Sequence, residues 1–287
     1  MLEYKIIDLG GFIMKKVVAI LLALALSLGT IIALAEPLKI IATPNPHAEV
    51  LELIKDDLAA LGFELEIEVN EGYLVENPST AAGDTQANFF QHIPYLNQYN
   101  ADMDANNQAD QKLVYVVPTH FEPMGLYPGT KSSLDEIAEG DIIVVPNDPV
   151  NMTRAFILLA DAGLVTLPEG TTLESVVTKF DIGNPKNLEF QEANAELAPT
   201  MRDGAAFVVI NGNNASLAGL IPGKDAVYFE QPGSQAAEAY LNIFAVKPEN
   251  AEADFVKALE KVIYTQKVYD LIVESGFAPV FEVPAAE

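Results

Sequence analysis

The stretch Ile142–Phe156 (IIVVPNDPVNMTRAF) predicts a strand, a loop and the start of a helix. Asp148 or Asn151 can cap this helix, and Pro149 suits its first turn. Arg154 then lies within about two turns of the helix N-terminus, where free backbone N–H groups and a guanidinium favour a carboxylate or a phosphate. The alternative is a local salt bridge between Arg154 and Asp148.

The same order of elements recurs later in the chain. Ala205–Ile210 predicts a buried strand, Asn211–Asn214 a polar loop, and Ala215–Leu220 a helix. Strands and helices alternate throughout, which indicates an α/β protein with largely parallel sheets, and ligands gather at the carboxyl ends of such strands. We expect four loops to meet there, in a cleft between two lobes: Thr43–His47, Tyr73–Asn77, Asn147–Arg154 and Asn211–Asn214.

An aromatic block precedes the middle of the chain. Phe89, Phe90 and Tyr95 lie close to His92 in the sequence. The alternative to a ligand pocket is that these aromatic residues form core, and we adopt that interpretation for Phe90. A neutral His92 is expected to line an apolar pocket or to bond a ligand, whereas Asn97–Gln111 is expected to be a polar surface segment.

The N-terminal residues predict export. Lys15 and Lys16 precede an uncharged run that ends in Ala33-Leu-Ala35, so residues 1–35 are predicted to be a signal segment cleaved after Ala35. The alternative is an uncleaved transmembrane anchor. The protein is then expected in a periplasm or at the cell surface.

Composition narrows the chemistry further. The chain has no cysteine, which predicts no disulfide, no thiolate metal site and no lipid anchor. A net charge of −25 argues against nucleic acid and anionic lipid surfaces as partners.

Sequence motifs favour binding over catalysis. The chain lacks G-x-S-x-G, H-E-x-x-H, a P-loop and a dinucleotide-binding glycine pattern, so we predict neither an enzyme nor a cofactor. A zinc-capture site made of His47, His92 and His120 is one alternative, although their spacing does not support it. An exported hydrolase of unknown type is another. The Arg, Asn, Tyr, His and Phe residues of the candidate loops match a zwitterion with an apolar tail.

The chain resembles the NlpA family of substrate-binding proteins, which includes methionine-binding components of ABC importers. Five blocks carry the resemblance, and they span nearly the whole exported part: Thr43–Glu49 (TPNPHAE), Ala87–Leu96 (ANFFQHIPYL), His120–Tyr127 (HFEPMGLY), Pro146–Ala155 (PNDPVNMTRA) and Ile210–Ala215 (INGNNA). The resemblance implies a two-lobe type II periplasmic-binding-protein fold with two crossovers. Lobe I would comprise residues 36–125 and 239–287, and lobe II residues 126–238.

The resemblance also implies a set of ligand-binding residues. Arg154 would hold the carboxylate of methionine, Asn151 and Asn211 its amino and carboxyl groups, and Asn213 would lie nearby. The thioether pocket would be formed by Tyr73, Phe89, His92 and Tyr95. A monomer would capture the ligand and deliver it to a membrane permease, with no metal in the site.

The chain departs from the family pattern at several positions. Family members are usually anchored through a cysteine, and they usually have glycine at the position of Asn45. They also often have glycine near Met152 or Thr153 and tyrosine at the position of Asn214. These differences leave the carboxylate clamp intact and concern the side-chain pocket, so L-methionine is the first expectation, with D-methionine, a methionine dipeptide or another small apolar amino acid as alternatives.

Overall fold

The computed structural model describes residues 36–283. Eleven strands lie in this part of the chain: β1 Leu38–Ala42, β2 Leu65–Val69, β3 Ala87–His92, β4 Val114–Phe121, β5 Gly125–Pro128, β6 Ile142–Pro146, β7 Glu189–Ala193, β8 Phe207–Ile210, β9 Tyr228–Phe229, β10 Leu241–Val246 and β11 Ala278–Pro279. Nine α-helices accompany them in the same residues: α1 Glu49–Ala60, α2 Glu76–Ala82, α3 Ile93–Ala105, α4 Pro149–Asp161, α5 Gly212–Leu217, α6 Pro222–Asp225, α7 Gln235–Ala239, α8 Asp254–Ile263 and α9 Gln266–Glu274.

Two sheets divide these strands. The first has the order β11-β4-β10-β3-β1-β2 and the second the order β7-β6-β8-β5-β9. We call the first sheet with its helices lobe I and the second lobe II. The chain passes from lobe I to lobe II after Phe121 and returns between β9 and β10, so two crossovers join the lobes. The exact ends predicted for the lobes stay a prediction.

The sheets are mixed, so the prediction of largely parallel sheets is wrong. In lobe I, β1 runs parallel to β2 and β3, but β10 runs antiparallel to β3 and β4. In lobe II, β6 is parallel to β7 and β8, but β5 is antiparallel to β8 and β9. The crossovers are the physical reason: β5 and β10 each enter their sheet from the other lobe, and therefore run opposite to the strands that lead toward the crossover.

Each lobe has its own apolar core. In lobe I, α1 and α8 pack their buried faces against the sheet, through residues that include Leu51, Ile54 and Leu259. In lobe II, Phe156 and Leu159 of α4 pack against the second sheet. Burial of these apolar faces fixes both helices against their strands, and it fixes where the adjacent loops emerge.

Two helices were not predicted. The segment Asn97–Gln111 lies at the surface as expected, but its first part belongs to α3, and α2 begins within the loop expected at Tyr73–Asn77. Helix α3 buries only Leu96 fully, so its sequence has little apolar periodicity to detect. Helix α2 buries Glu76 and Asn77, two polar residues that normally indicate a surface.

The predicted signal segment, residues 1–35, lies outside the described residues. Within residues 36–283, no helix is both long enough and apolar enough to cross a lipid bilayer.

Candidate functional site

Helix α4 begins as the sequence predicts. The side chain of Asp148 caps it by accepting a hydrogen bond from the backbone N–H of Asn151 at 2.9 Å, and Pro149 occupies the first turn. Asp148 also accepts from the side-chain amide of Asn151 at 3.0 Å and 3.1 Å. The cap therefore fixes both the start of α4 and the orientation of the Asn151 side chain in the cleft.

Arg154 is buried and does not form the local pair with Asp148. Its Nε donates to Glu230 Oε1 at 2.8 Å, and its Nη2 donates to Glu230 Oε2 at 2.6 Å and to the backbone oxygen of Glu122 at 2.8 Å. Its guanidinium carbon lies 4.1 Å from the centre of the Tyr240 ring. Burial lowers the pKa of Arg154, but Glu230, Tyr240 and Glu122 together outweigh that effect, so the pKa is raised above its usual value. Nη1 has no hydrogen-bond partner among residues 36–283.

Three polar side chains converge from both lobes. Asn151 Oδ1 accepts from His92 Nε2 at 3.1 Å and from Asn211 Nδ2 at 2.9 Å. His92 Nδ1 accepts from the backbone N–H of Tyr95 at 3.2 Å, so the ring is held as the neutral Nε2–H tautomer. Asn211 Oδ1 is buried and has no hydrogen-bond partner in the described structure. The structure therefore brings together three of the predicted residues and leaves one buried acceptor unused.

An aromatic wall completes the lobe I side. Tyr73, Phe90 and Tyr95 have ring centres 5.8 to 6.0 Å apart. The hydroxyl of Tyr73 donates to Asn213 Oδ1 at 2.7 Å and accepts from Asn214 Nδ2 at 2.8 Å. Tyr73 thus connects the lobes, and it does so partly through Asn214, one of the positions at which this chain departs from the family pattern.

The sequence prediction placed Phe89 in the ligand pocket and Phe90 in the core, and the structure has them the other way round. Phe89 is fully buried in the lobe I core, where it stacks on Phe244 at 4.0 Å, and it does not line the cavity. Phe90, assigned to the core from the sequence, lies against Tyr73 and Tyr95. Adjacent residues of a strand point to opposite faces, so only one of the two can face the cleft.

A small cavity, partly open to solvent, lies between the lobes at these residues. Its lining residues are Tyr73, Phe90, Gln91, His92, Tyr95, Glu122, Asn151, Arg154, Asn211, Gly212, Asn213 and Asn242.

Sequence reasoning missed several lining residues besides Phe90: Gln91, Glu122, Gly212 and Asn242. One signal was available for Asn242, which is the single polar residue in the otherwise apolar run Leu241–Val246. A polar side chain in a buried strand needs a partner, and at a strand end near a cleft that partner can be a ligand.

The three histidines do not form one site. His47 and His120 lie beside Glu122, with potential ligand atoms within 4.8 Å of one another, whereas His92 belongs to the asparagine cluster described above. The zinc-capture alternative therefore had the wrong set of residues. His47 and His120 each have both ring nitrogens engaged, with Thr43 and Asn242 for His47 and with Thr119 and Glu122 for His120. The cluster is satisfied by hydrogen bonds without a metal.

We expect His92 to contribute to acid sensitivity. Burial, and secondarily the charge of Arg154, lowers the pKa of His92 from 6.5 to about 3. Between these values the unfolded chain binds a proton that the folded chain does not, so the free energy of unfolding falls as the pH falls from about 6.5 toward 3. Urea titrations at several pH values should show that His92→Gln reduces this slope by about 1.4 kcal/mol per pH unit near pH 5. An unchanged slope would mean that His92 is protonated in the folded protein.

Comparisons with known proteins place this geometry in context. A family model described as NlpA lipoprotein matches residues 38–285. The methionine-binding lipoprotein MetQ of Bacillus subtilis (strain 168) is 36% identical over 234 residues, which cover 80% of this chain and 82% of that protein.

Two solved structures are similar along their whole length. A nutrient binding protein from Burkholderia cenocepacia, bound to methionine, has a TM-score of 0.78 and 30% identity, covering 85% of this chain and 100% of that one. A periplasmic substrate-binding protein of an ABC transporter from Coxiella burnetii has a TM-score of 0.75 and 30% identity, with the same coverage. These similarities confirm the predicted two-lobe fold.

The comparisons contradict the prediction that the protein has no lipid anchor. Both the family and the Bacillus subtilis relative are named lipoproteins. The prediction relied on one residue type, the absent cysteine, to decide how the protein is attached, and attachment is a property of the N-terminal region, which lies outside residues 36–283.

Proposed function

The chain belongs to the NlpA lipoprotein family, whose members are substrate-binding proteins and not enzymes, and we propose that it captures methionine between its two lobes for an ABC importer. The methionine-bound relative and the methionine-binding name of another support the ligand class. L-methionine is the ligand we propose first. D-methionine, a methionine dipeptide and another small apolar amino acid are the alternatives that the experiment below separates.

One observation carries the proposal: a buried, unpaired carbonyl oxygen lies in the same cavity as a buried arginine. Among residues 36–283, Asn211 Oδ1 has no hydrogen-bond partner, and leaving it so costs about 1–3 kcal/mol. An ammonium group supplies the donor that this oxygen lacks. Arg154 Nη1 is free of hydrogen bonds within the described residues, and it suits a carboxylate. Together they match the two ends of an amino acid.

The charges around Arg154 favour a zwitterion over a ligand that carries a net charge. Arg154 is already neutralised by a two-point contact with Glu230. A ligand with a net charge would add an unpaired charge to a buried site, which is unfavourable, whereas an amino acid adds equal positive and negative charge.

The aromatic wall suits an apolar, polarisable tail. In this proposal the thioether lies against Phe90, Tyr73 and Tyr95, because sulfur–aromatic contacts are favourable by about 0.3–1.5 kcal/mol. His92, held neutral by burial, adds no charge to this end of the cavity.

The proposal also includes delivery of the ligand to a membrane permease and a monomeric state, as expected for the substrate-binding component of an ABC importer. The closed protein delivers its ligand to a membrane permease, and it acts as a monomer. The Coxiella burnetii relative supports the transporter context, because its name describes the substrate-binding component of an ABC transporter.

Calorimetry on protein that was unfolded and refolded to remove retained ligand tests the proposal. We expect L-methionine to bind with a micromolar or lower Kd. Norleucine, which replaces the sulfur by a methylene, is expected to bind more weakly, by up to about tenfold, through loss of the sulfur–aromatic contact. Titrations with D-methionine, glycyl-methionine and leucine rank the alternatives. Absence of heat with L-methionine and with each of these compounds would overturn the proposed ligand class.

A further inference from the structure

Glu122 joins the two lobes at the first crossover. Its side chain is nearly fully buried, and its Oε2 accepts a hydrogen bond from the backbone N–H of Asn213, on α5 of lobe II, at 2.9 Å. Its Oε1 lies 2.8 Å from His120 Nε2, at the end of β4 in lobe I. One carboxyl group therefore connects a strand end in one lobe with the first turn of a helix in the other.

The hydrogen atoms around His120 can be assigned from its neighbours. Thr119 Oγ1 donates to the backbone oxygen of Asn242 at 3.0 Å, because a carbonyl oxygen can only accept. Thr119 Oγ1 also lies 2.8 Å from His120 Nδ1, so Nδ1 must be the donor in that contact. In a neutral imidazole the other nitrogen, Nε2, then carries no hydrogen. The hydrogen in the 2.8 Å contact therefore belongs to Glu122.

The other groups facing Glu122 agree with this assignment. His47 Nε2 lies 3.4 Å from Oε1, but its hydrogen is directed to Asn242 Oδ1 at 3.1 Å. Arg154 donates to the backbone oxygen of Glu122, and its charge is balanced by Glu230. Burial raises the pKa of Glu122 and lowers the pKa of His120 to about 3, which is the direction that a neutral acid beside a neutral imidazole requires.

Helix α5 approaches Glu122 closely because it begins with glycine. A Cβ atom on Gly212 would lie 2.7 Å from Glu122 Cβ and 3.2 Å from the ring of Phe277. The residues on either side of Gly212 are Asn211 and Asn213, which both line the cavity. The position of α5 against Glu122 therefore determines where these two side chains lie.

We propose that Glu122 is a positioning residue that acts as a neutral carboxylic acid: its Oε1–H donates to His120 of lobe I while its Oε2 accepts from Asn213 of lobe II, so that it holds α5 against lobe I and places Asn211 and Asn213 at the ligand. This inference rests on the proposed function, because it concerns the same cavity. It adds a specific protonation state and a specific link between lobe closure and binding.

Two substitutions at Glu122 separate the protonation states. The amide of Glu122→Gln can donate to His120 Nε2 and accept from Asn213, as a neutral acid does, whereas Glu122→Ala can do neither. We expect Glu122→Ala to weaken L-methionine binding by about tenfold or more, since it removes two buried hydrogen bonds. Glu122→Gln should recover most of that loss. Equal weakening by both variants would show an ionised carboxylate and overturn the neutral acid, and wild-type affinity in Glu122→Ala would overturn the positioning role.

Glu76→Gln is the matched control. Glu76 is also a buried glutamate with a raised pKa, but in the described part of the chain its carboxylate oxygens bond only to Asn70 and Val75, within lobe I. It is expected to change the affinity for L-methionine by less than about threefold, because it bonds neither lobe II nor the cavity. A loss as large as that of Glu122→Ala would mean that removing any buried glutamate impairs binding, which would overturn the specific role of Glu122.

Two measurements test the link without any ligand. Infrared spectra in D2O should contain the carbonyl band of a protonated carboxyl group that disappears in Glu122→Gln and persists in Glu76→Gln. Spin labels on Glu52→Cys and Asp161→Cys, at exposed positions in lobes I and II of a chain that otherwise lacks cysteine, report the distance between the lobes. Glu122→Ala should broaden this distance distribution, and Glu122→Gln should not. If the wild type binds no methionine but these results hold, the proposed ligand fails and the Glu122 link stands. An unchanged infrared band in Glu122→Gln overturns the neutral acid, and an unbroadened distance distribution in Glu122→Ala overturns the link.

Discussion

Replacing Arg154 by alanine is expected to weaken methionine binding by about 30-fold to about 4000-fold, which corresponds to about 2–5 kcal/mol. The reason is that the guanidinium is the one cationic group lining the cavity within residues 36–283, and the carboxylate of the ligand would have no other cation to meet. Calorimetry with refolded wild-type protein and the refolded variant measures the difference directly.

The same substitution also affects folding, and this must be separated from binding. Removing Arg154 leaves Glu230 buried without a cation, and breaking a buried pair from one side costs about 3–5 kcal/mol of stability. The double variant Arg154→Met with Glu230→Gln removes both charges and should restore most of that stability. It should still bind methionine as weakly as Arg154→Ala. If the double variant binds like the wild type, Arg154 does not hold the carboxylate.

Local signals predicted the start of the site correctly. Asp148, Pro149 and Asn151 are neighbours in the sequence, and the capping and first-turn preferences that they satisfy depend only on neighbours. The partners of Arg154 were not predicted. Glu230 lies 76 residues away, and which of many glutamates reaches the cleft depends on how the second crossover folds back. A local pattern carries no information on that choice.

The exchange of Phe89 and Phe90 has a related cause. Because side chains alternate along a strand, the two rings face opposite sides of it. This alternation identifies the side that faces the cleft only when one of the two sides is polar. Every residue of β3 is buried, because the core covers one face of the strand and α2, α3 and the cavity cover the other. The missed helix α2 contributes to the same ambiguity, since Glu76 and Asn77 are buried where polar residues normally indicate solvent.

The two neighbouring phenylalanines are expected to contribute separately to stability and to binding. Phe89→Ala is expected to lower the free energy of unfolding by about 3–5 kcal/mol, because it removes a fully buried ring stacked on Phe244 in the lobe I core. Its effect on methionine affinity should be small under conditions in which the variant is folded, because Phe89 does not line the cavity. Urea unfolding and calorimetry on the same preparations give both quantities.

Phe90→Ala should show the opposite pattern. Its ring faces Tyr73 and Tyr95 across a cavity, so less packing is lost when it is removed, and we expect a smaller loss of stability than for Phe89→Ala. Binding should weaken by about tenfold or more, since the ligand tail loses an apolar surface that contributes about 1.5–3 kcal/mol when fully buried. The two variants carry the same substitution, phenylalanine to alanine, at adjacent positions, so they are matched in residue type and in place along the chain. A larger loss of affinity in Phe89→Ala than in Phe90→Ala would restore the original sequence prediction and would mean that β3 presents its other face to the ligand.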